Sequence, residues 1–477
     1  MPRLLLLLLL ALQLPAQVLF EDSFHGRGHF DFRILMDSAP ERTGNWVAKM
    51  TYLPDGRILM VWCSTAGAEL DPTNRIWLAT SSDDGATWTQ PRVLTSSEGG
   101  SKVLNPCTYT HTDGTVFVFY NHGDGQRVYD LWYQTSRDSA RTWTAPRRID
   151  GSPQVTSLMS NPIRLRTGVI LLPFCYDVTN AARKHLAGTV MLSADGGRSW
   201  RRGGDMPVDA PRGAMEPSIV ELQNGDLYCL LRTKTGFQYE SRSRDGGLTW
   251  SRPQPSPFPS PESCGILLRL VGGPLAYVWN GNAVSQGRQV PRYPLTVALS
   301  EDDARSWPYR KVIETTDGAR QLSNHGVFQT RSGLILVAGE HYQGTRNGVQ
   351  YGPLFLARFD EPWIRSSVSP EKWDPQPSPT GGIRLDPSGL WLIAGGTPDE
   401  VTRLLARTPL PSHVTIEVLA ESVTGAAGLF LGDKIIPITG APLRIAVPDP
   451  PSRWGFFARN DGAPARLLLR EVRVLKN

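Results

Sequence analysis

The stretch SRDGGLTW, Ser243 to Trp250, decides the fold, because the chain writes it five times. SSDDGATW begins at Ser81, SRDSARTW at Ser136, SADGGRSW at Ser193 and SEDDARSW at Ser300. In each copy Ser and Asp can hydrogen-bond within a tight turn, Gly permits a positive φ, and Trp supplies a large ring to bury. Ala140 and Ala304 replace the glycine in two copies, which weakens the turn without erasing it. The five aspartates, Asp83, Asp138, Asp195, Asp245 and Asp302, recur every 50 to 57 residues, a period suited to an array of small sheets. The turn reads as a structural clasp.

A second repeat keeps step with the first. PDGRILMVW at Gly56, TDGTVFVFY at Gly114, RTGVILLPF at Gly168, QNGDLYCLL at Gly225, GGPLAYVW at Gly273 and RSGLILVAG at Gly333 each lead from a glycine turn into an apolar run. Runs apolar on both faces suit strands packed between neighbouring sheets. Six such sheets arranged radially predict a six-bladed β-propeller over residues 18–372. The Pro/Gly-rich segment 373–384 reads as a linker, and 385–477, short strands parted by Gly and Pro, as a small β-sandwich. The expected class is all-β.

Composition narrows the function. With 40% hydrophobic and 20% charged residues in 477, the chain can bury a large core. A net charge of +5 without a basic run makes nucleic acid a poor partner. Residues 1–17, MPRLLLLLLLALQLPAQ, have the early Arg, short apolar run and small residue of a secretory signal, predicting a secreted or periplasmic protein. No later run reaches the roughly eighteen apolar residues of a membrane span. The five cysteines form no CxxC pair, so neither a disulfide framework nor a metal site is expected, and no cofactor is called for.

The turn pattern S-x-D-x-G-x-[TS]-W resembles the Asp-box, or BNR repeat, of the sialidase superfamily, nearest its bacterial exo-α-sialidase-like branch. The resemblance spans roughly residues 40 to 365 and includes ARFDEPWI from Ala357, which is similar to the end of a last sialidase blade. It implies a glycoside hydrolase that removes a terminal acidic sugar, sialic acid or a relative, from a glycan. Members have three arginines on the substrate carboxylate, an Asp acid near the first blade, and a Tyr nucleophile assisted by a Glu.

By that resemblance MEPSIVELQNGDLYCLLRT supplies Glu216 and Arg232, and VPRYPLTVALS supplies Arg292, with Arg288 as a rival. Arginine's planar fork suits a carboxylate. The loop CSTAGAELDPTNRIWLA offers Glu69 and Asp71, and spacing favours Asp71 as the acid. Two positions depart from the family. Trp46 stands where the first arginine is expected, with Lys49 and Arg42 as the nearby cations, and Asn324 stands where the nucleophilic Tyr is expected. Its neighbour His325 is a candidate base or nucleophile, and Glu340 a further carboxylate. Expected catalytic residues are therefore Asp71, Glu216 and His325, and expected substrate-binding residues Arg232, Arg292, Asn324 and Glu340. Two other functions fit the same chain. One is a polysaccharide lyase with His325, His341 or Tyr342 as base, and the other a glycan-binding propeller without catalysis.

Overall fold

The structure is a computed structural model. It describes residues 18–476 except 24–27, 70, 98–100, 124–128, 154, 179–184, 283–290, 316–319, 368–371, 379–380, 387, 396–398 and 450. The signal-like segment 1–17 and the rival Arg288 lie outside the described residues.

The chain is all-β, and among the described residues its one α-helix is the single turn Glu361–Arg365. Six sheets follow in sequence, antiparallel but for the short parallel pairing of Arg212–Gly213 with His185–Ser193 in the third, and their first strands or leading segments are Gly44–Tyr52, Lys102–Thr110, Val155–Ser157, Met215–Glu221, Ile266–Arg269 and Gln321–Gln329. The sixth is completed by Phe30–Met36, which pairs with Leu354–Phe359, so the two ends of this region share a sheet. All six glycines of the second repeat sit at φ between 89° and 104° or, at Gly114, 85°, and each opens into a buried strand. That left-handed backbone is where glycine costs least.

Six apolar clusters join these sheets in order. One lies between sheets one and two (Val61, Leu78, Val118, Tyr120), and the last joins sheet six back to sheet one (Leu336, Leu356, Met60, Trp62). Each box tryptophan packs into the cluster shared with the preceding sheet: Trp88, Trp143, Trp200, Trp250 and Trp307. The sixth sheet lacks a box. There Trp363, from ARFDEPWI, fills the corresponding cluster, on a helix whose first turn is capped by Asp360.

The five boxes share one hydrogen-bond pattern. In the third copy, Ser193 Oγ donates to Asp195 Oδ1 at 2.8 Å, the Gly197 amide donates to Ser193 Oγ, and the Ser199 amide and hydroxyl both donate to Asp195. Ala140 and Ala304 adopt the positive φ of their glycine counterparts, 65° and 64°. All five carboxyls lie below their usual range. Hydrogen bonds from the Ser306 side chain foremost hold Asp302 at about 2 against partial burial. A carboxyl held below its unfolded value of about 3.9 stabilises the fold fully above that value and loses its contribution as pH falls through the folded one. The stability these five carboxyls contribute should therefore be constant above pH ~5 and be lost between about 4 and 2, so the melting temperature should fall steeply in that acid range. Asp302→Asn should lower it at neutral pH and remove part of the acid slope; an unchanged slope would refute this account.

The C-terminal region is two antiparallel sheets around a single apolar core that includes Leu392, Leu429, Phe456 and Leu469. Segments on both sides of the expected boundaries belong to it. Trp373–Gln376, read as linker, is a strand whose Trp373 is fully buried in that core, and Val18–Ser23 pairs with Arg466–Lys476. The Pro and Gly content of 373–384 hid a strand at a sheet edge, where proline is tolerated. Glu314 of sheet five ties the two regions together, accepting from Arg466 at 2.9 Å and pairing with Arg384 at 3.5 Å.

Candidate active site

Four of the leading strands carry the same irregularity. In each, two residues oppose one on the partner strand, and the first of the two has a left-handed backbone: Val47 (φ 55°), Asn105 (51°), Glu216 (50°) and Asn324 (51°). Such a bulge re-aims a side chain at the cost of local strain, on the order of 1–3 kcal/mol for a non-glycine residue. All four of these side chains line one cavity of about 540 Å³.

The bulge also settles the fate of His325. As the second bulged residue it occupies the place of Ala48, Pro106 and Pro217, behind the cavity wall. It is fully buried, its Nε2 lies 3.0 Å from the Val278 carbonyl oxygen, and burial pushes the imidazole down to about 3. A ring so placed does not reach the cavity. Lys49 is buried too, and its Nζ donates to the His325 carbonyl. The position expected to hold the first arginine, Trp46, forms an apolar floor with Val47 and Met159.

Three arginines line the cavity: Arg212, Arg232 and Arg292. Arg232 Nη1 donates to both oxygens of Glu216 at 2.9 Å, and Ser157 Oγ donates to Glu216 Oε1 at 3.1 Å. Burial, the largest single influence, raises the Glu216 carboxyl, but the Arg232 charge and hydrogen bonds, the Arg292 charge and the Ser157 hydroxyl together outweigh it, and the group lies below its usual range. Arg212 Nη1 donates to Glu262 Oε1 at 2.5 Å, and the same oxygen stands 3.9 Å from Arg232 Nη2. Arg292 differs from both. Among the described residues its guanidinium makes no hydrogen bond or ion pair, and burial, then the nearby Arg232 charge, push it below its ordinary value. A cation held unpaired beside another cation is a place where an anion gains.

Opposite stand two carboxylates. Glu340 is buried, accepting from Asn324 Nδ2 at 2.8 Å and Gln350 Nε2 at 2.7 Å. Burial first, and the Glu69 charge second, raise it to about 7. Glu69 itself lines the cavity from the exposed loop that follows Ile58–Thr65. Asp71, favoured by spacing, does not line it. Its Oδ1 accepts from the Thr73 amide at 2.8 Å and its own amide donates to the Ala68 carbonyl, so it knots the loop that presents Glu69.

Of the expected residues, the structure thus gathers Glu216, Arg232, Arg292, Asn324 and Glu340 at one cavity and leaves Asp71 and His325 outside it. Sequence reasoning missed Arg212 and Gln350. Arg212 sits four residues before Glu216 in APRGAMEP, a proximity that could have drawn notice. Gln350 comes from the small hairpin Gly344–Arg346 with Val349–Tyr351; its amide donates to the Gly67 carbonyl at 2.8 Å, joining the Glu69 loop to Glu340. No local pattern marks it.

Comparison with known proteins bears on the family and the fold. The BNR repeat-like domain matches residues 56–358. The sialidase of Micromonospora viridifaciens is 26% identical over 307 residues, covering 56% of this chain and 46% of that protein. A sialidase of Bacteroides fragilis is 24% identical over 245 residues, covering 46% and 41%. The chain thus spans less than half the length of the curated relatives it matches. Among solved structures, Trypanosoma rangeli sialidase superposes with a TM-score of 0.54 at 12% identity, covering 94% of this chain and 96% of that one. At that identity the likeness speaks to the fold. Five boxes in register and a family match across most of the six repeated sheets lead to one assignment: the chain belongs to the BNR repeat-like domain family of the sialidase superfamily.

Proposed function

We propose that the protein is a secreted glycoside hydrolase that removes a terminal acidic sugar, sialic acid or a relative, from a glycan. In this reading the six sheets form a closed six-bladed propeller with the cavity at its axis, and the C-terminal sheets form a β-sandwich. The observation that carries the reading is Arg292, a cavity guanidinium without a hydrogen-bond or ion-pair partner among the described residues, beside Arg232 and in the same cavity as Arg212. Together they suit a sugar carboxylate, with Arg212 taking the part of the arginine replaced by Trp46.

The missing Tyr removes the family's covalent route at Asn324, and the two carboxylates offer another. Glu340, raised to about 7, retains a proton at neutral pH and is the acid. It protonates the glycosidic oxygen as the bond to the anomeric carbon breaks. Glu69 takes a proton from the water that attacks that carbon. Glu216 holds Arg232 in place, and Asn324 with Gln350 orients Glu340. Of the three bases a lyase could use, His325 and His341 do not line the cavity, whereas Tyr342 does, with its hydroxyl 3.0 Å from Thr345 Oγ1, so Tyr342 is the residue on which the lyase reading rests.

The test is release of free sialic acid from sialyllactose by the mature protein. An acid that titrates near 7 predicts kcat/KM falling as pH rises through about 7, and Glu340→Gln should lower the rate by about 10²-fold or more. No release by the wild type would end the sialidase reading. A product with the ultraviolet absorbance of an unsaturated uronate would turn it toward a lyase.

A further inference from the structure

A second concave site lies on the outer face of the C-terminal sheet formed by Trp373–Gln376, Val401–Ala406, Trp454–Arg459, Ala426–Leu431 and Lys434–Pro437, in that spatial order. Alternation along the strands sends Leu404, Phe456 and Leu429 into the core and leaves Arg403, Phe457 and Phe430 on the other face. There they border a cavity of about 490 Å³ whose apolar members also include Ile435, 56% exposed.

Two glycines shape this face. Phe457 is registered against Gly428 and Phe430 against Gly455 on the neighbouring strand. A Cβ added at Gly428 would come within 3.0 Å of the Phe457 ring, and one at Gly455 within 3.0 Å of the Phe430 ring. Both rings therefore lie down over bare backbone, Phe457 nearly buried and Phe430 partly exposed, so that Phe430 and Ile435 present a low apolar platform in place of upright side chains. Three arginines, Arg403, Arg453 and Arg459, border the same cavity against one acid, Asp433. Arg459 is held by Asp461, whereas Arg403 and Arg453 make no side-chain hydrogen bond or ion pair among the described residues.

We propose that this face binds a sialylated glycan chain, sugar rings lying on Phe430 beside Ile435 and carboxylates on Arg403 and Arg453. Flat apolar rings accept the C–H face of a sugar, and unpaired guanidinium forks select a carboxylated one over a neutral one. The choice of sialic acid among carboxylated sugars rests on the proposed function; the platform and its charge do not.

The experiment measures binding of polysialic acid by the full chain carrying Arg292→Ala, so that the first cavity does not contribute, with dextran and hyaluronan as comparison polymers. Binding of polysialic acid in preference to both, reduced at least tenfold by Phe430→Ala and by Arg403→Ala, supports the proposal. Retained binding in both face variants overturns it, as does equal binding of dextran or a preference for hyaluronan. Both side chains point away from the core, and Arg403→Ala leaves the apolar platform intact should Phe430→Ala misfold. Sialyllactose turnover by chains carrying only the face substitutions should match wild type. Lack of turnover in the wild type would remove the proposed function and leave the polymer result to stand or fall by itself.

Discussion

Arg292→Ala is expected to lower kcat/KM on an acidic-sugar substrate by roughly 30-fold to several thousand-fold, with the melting temperature almost unchanged. The first figure follows from losing a charged partner of the substrate carboxylate, on the order of 2–5 kcal/mol. The second follows from the ground state. Arg292 has no ion pair or side-chain hydrogen bond among the described residues, so truncation leaves no buried acid stranded. It even relieves repulsion with Arg232. Arg292→Lys should recover part of the loss, because it restores the charge without the two-pronged fork. Steady-state kinetics beside thermal unfolding would check this, and a large drop in melting temperature with intact kinetics would show Arg292 to be structural.

Arg232→Ala should do the opposite in proportion. Its guanidinium is the partner of a buried carboxylate, with both Glu216 oxygens at 2.9 Å from one nitrogen. Removing one member of a buried pair typically costs about 3–5 kcal/mol, because the other stays desolvated and unpaired. For a region of this size that is a melting-temperature drop on the order of 5 °C. Glu216 should then titrate above its usual range, since burial, the largest influence on it, would be opposed only by the weaker Arg292 charge and Ser157 hydrogen bond. The loss should grow as pH rises from the ordinary value of about 4.3 to the new one and level off above it, where the carboxyl is ionised in both folded and unfolded chains. The double variant Arg232→Met with Glu216→Leu should recover stability without recovering activity. Were Arg232→Ala as stable as wild type at all pH values, the pair would not be the buried one described.

These two arginines also show where sequence reading reaches its limit. Arg232 and Arg292 are both implied by the family resemblance, yet only the structure distinguishes the paired guanidinium from the free one, because Glu216 and Glu262 approach from different stretches of chain. Asp71 and Glu69 lie two residues apart on one loop, and their roles depend on an amide hydrogen bond from Thr73 that turns Asp71 inward on its own loop.

What the sequence determined by itself is the repeat and what the repeat builds locally. The box is a closed set of hydrogen bonds within eight residues, the glycine turn a matter of one φ angle, and the apolar runs a matter of burial on both faces, so each can be read without knowing its neighbours. Tertiary structure decided the site. A bulge of one residue sends Asn324 to the cavity and His325 behind it, and Arg212, Gln350 and Glu69 arrive from three separate segments. It also decided that Trp373 and Val18–Ser23 join the C-terminal sheets. The physical reason is the same in each case. Side-chain direction at a bulge, and the partner of a buried charge, depend on contacts between residues far apart in the chain, which no local pattern encodes.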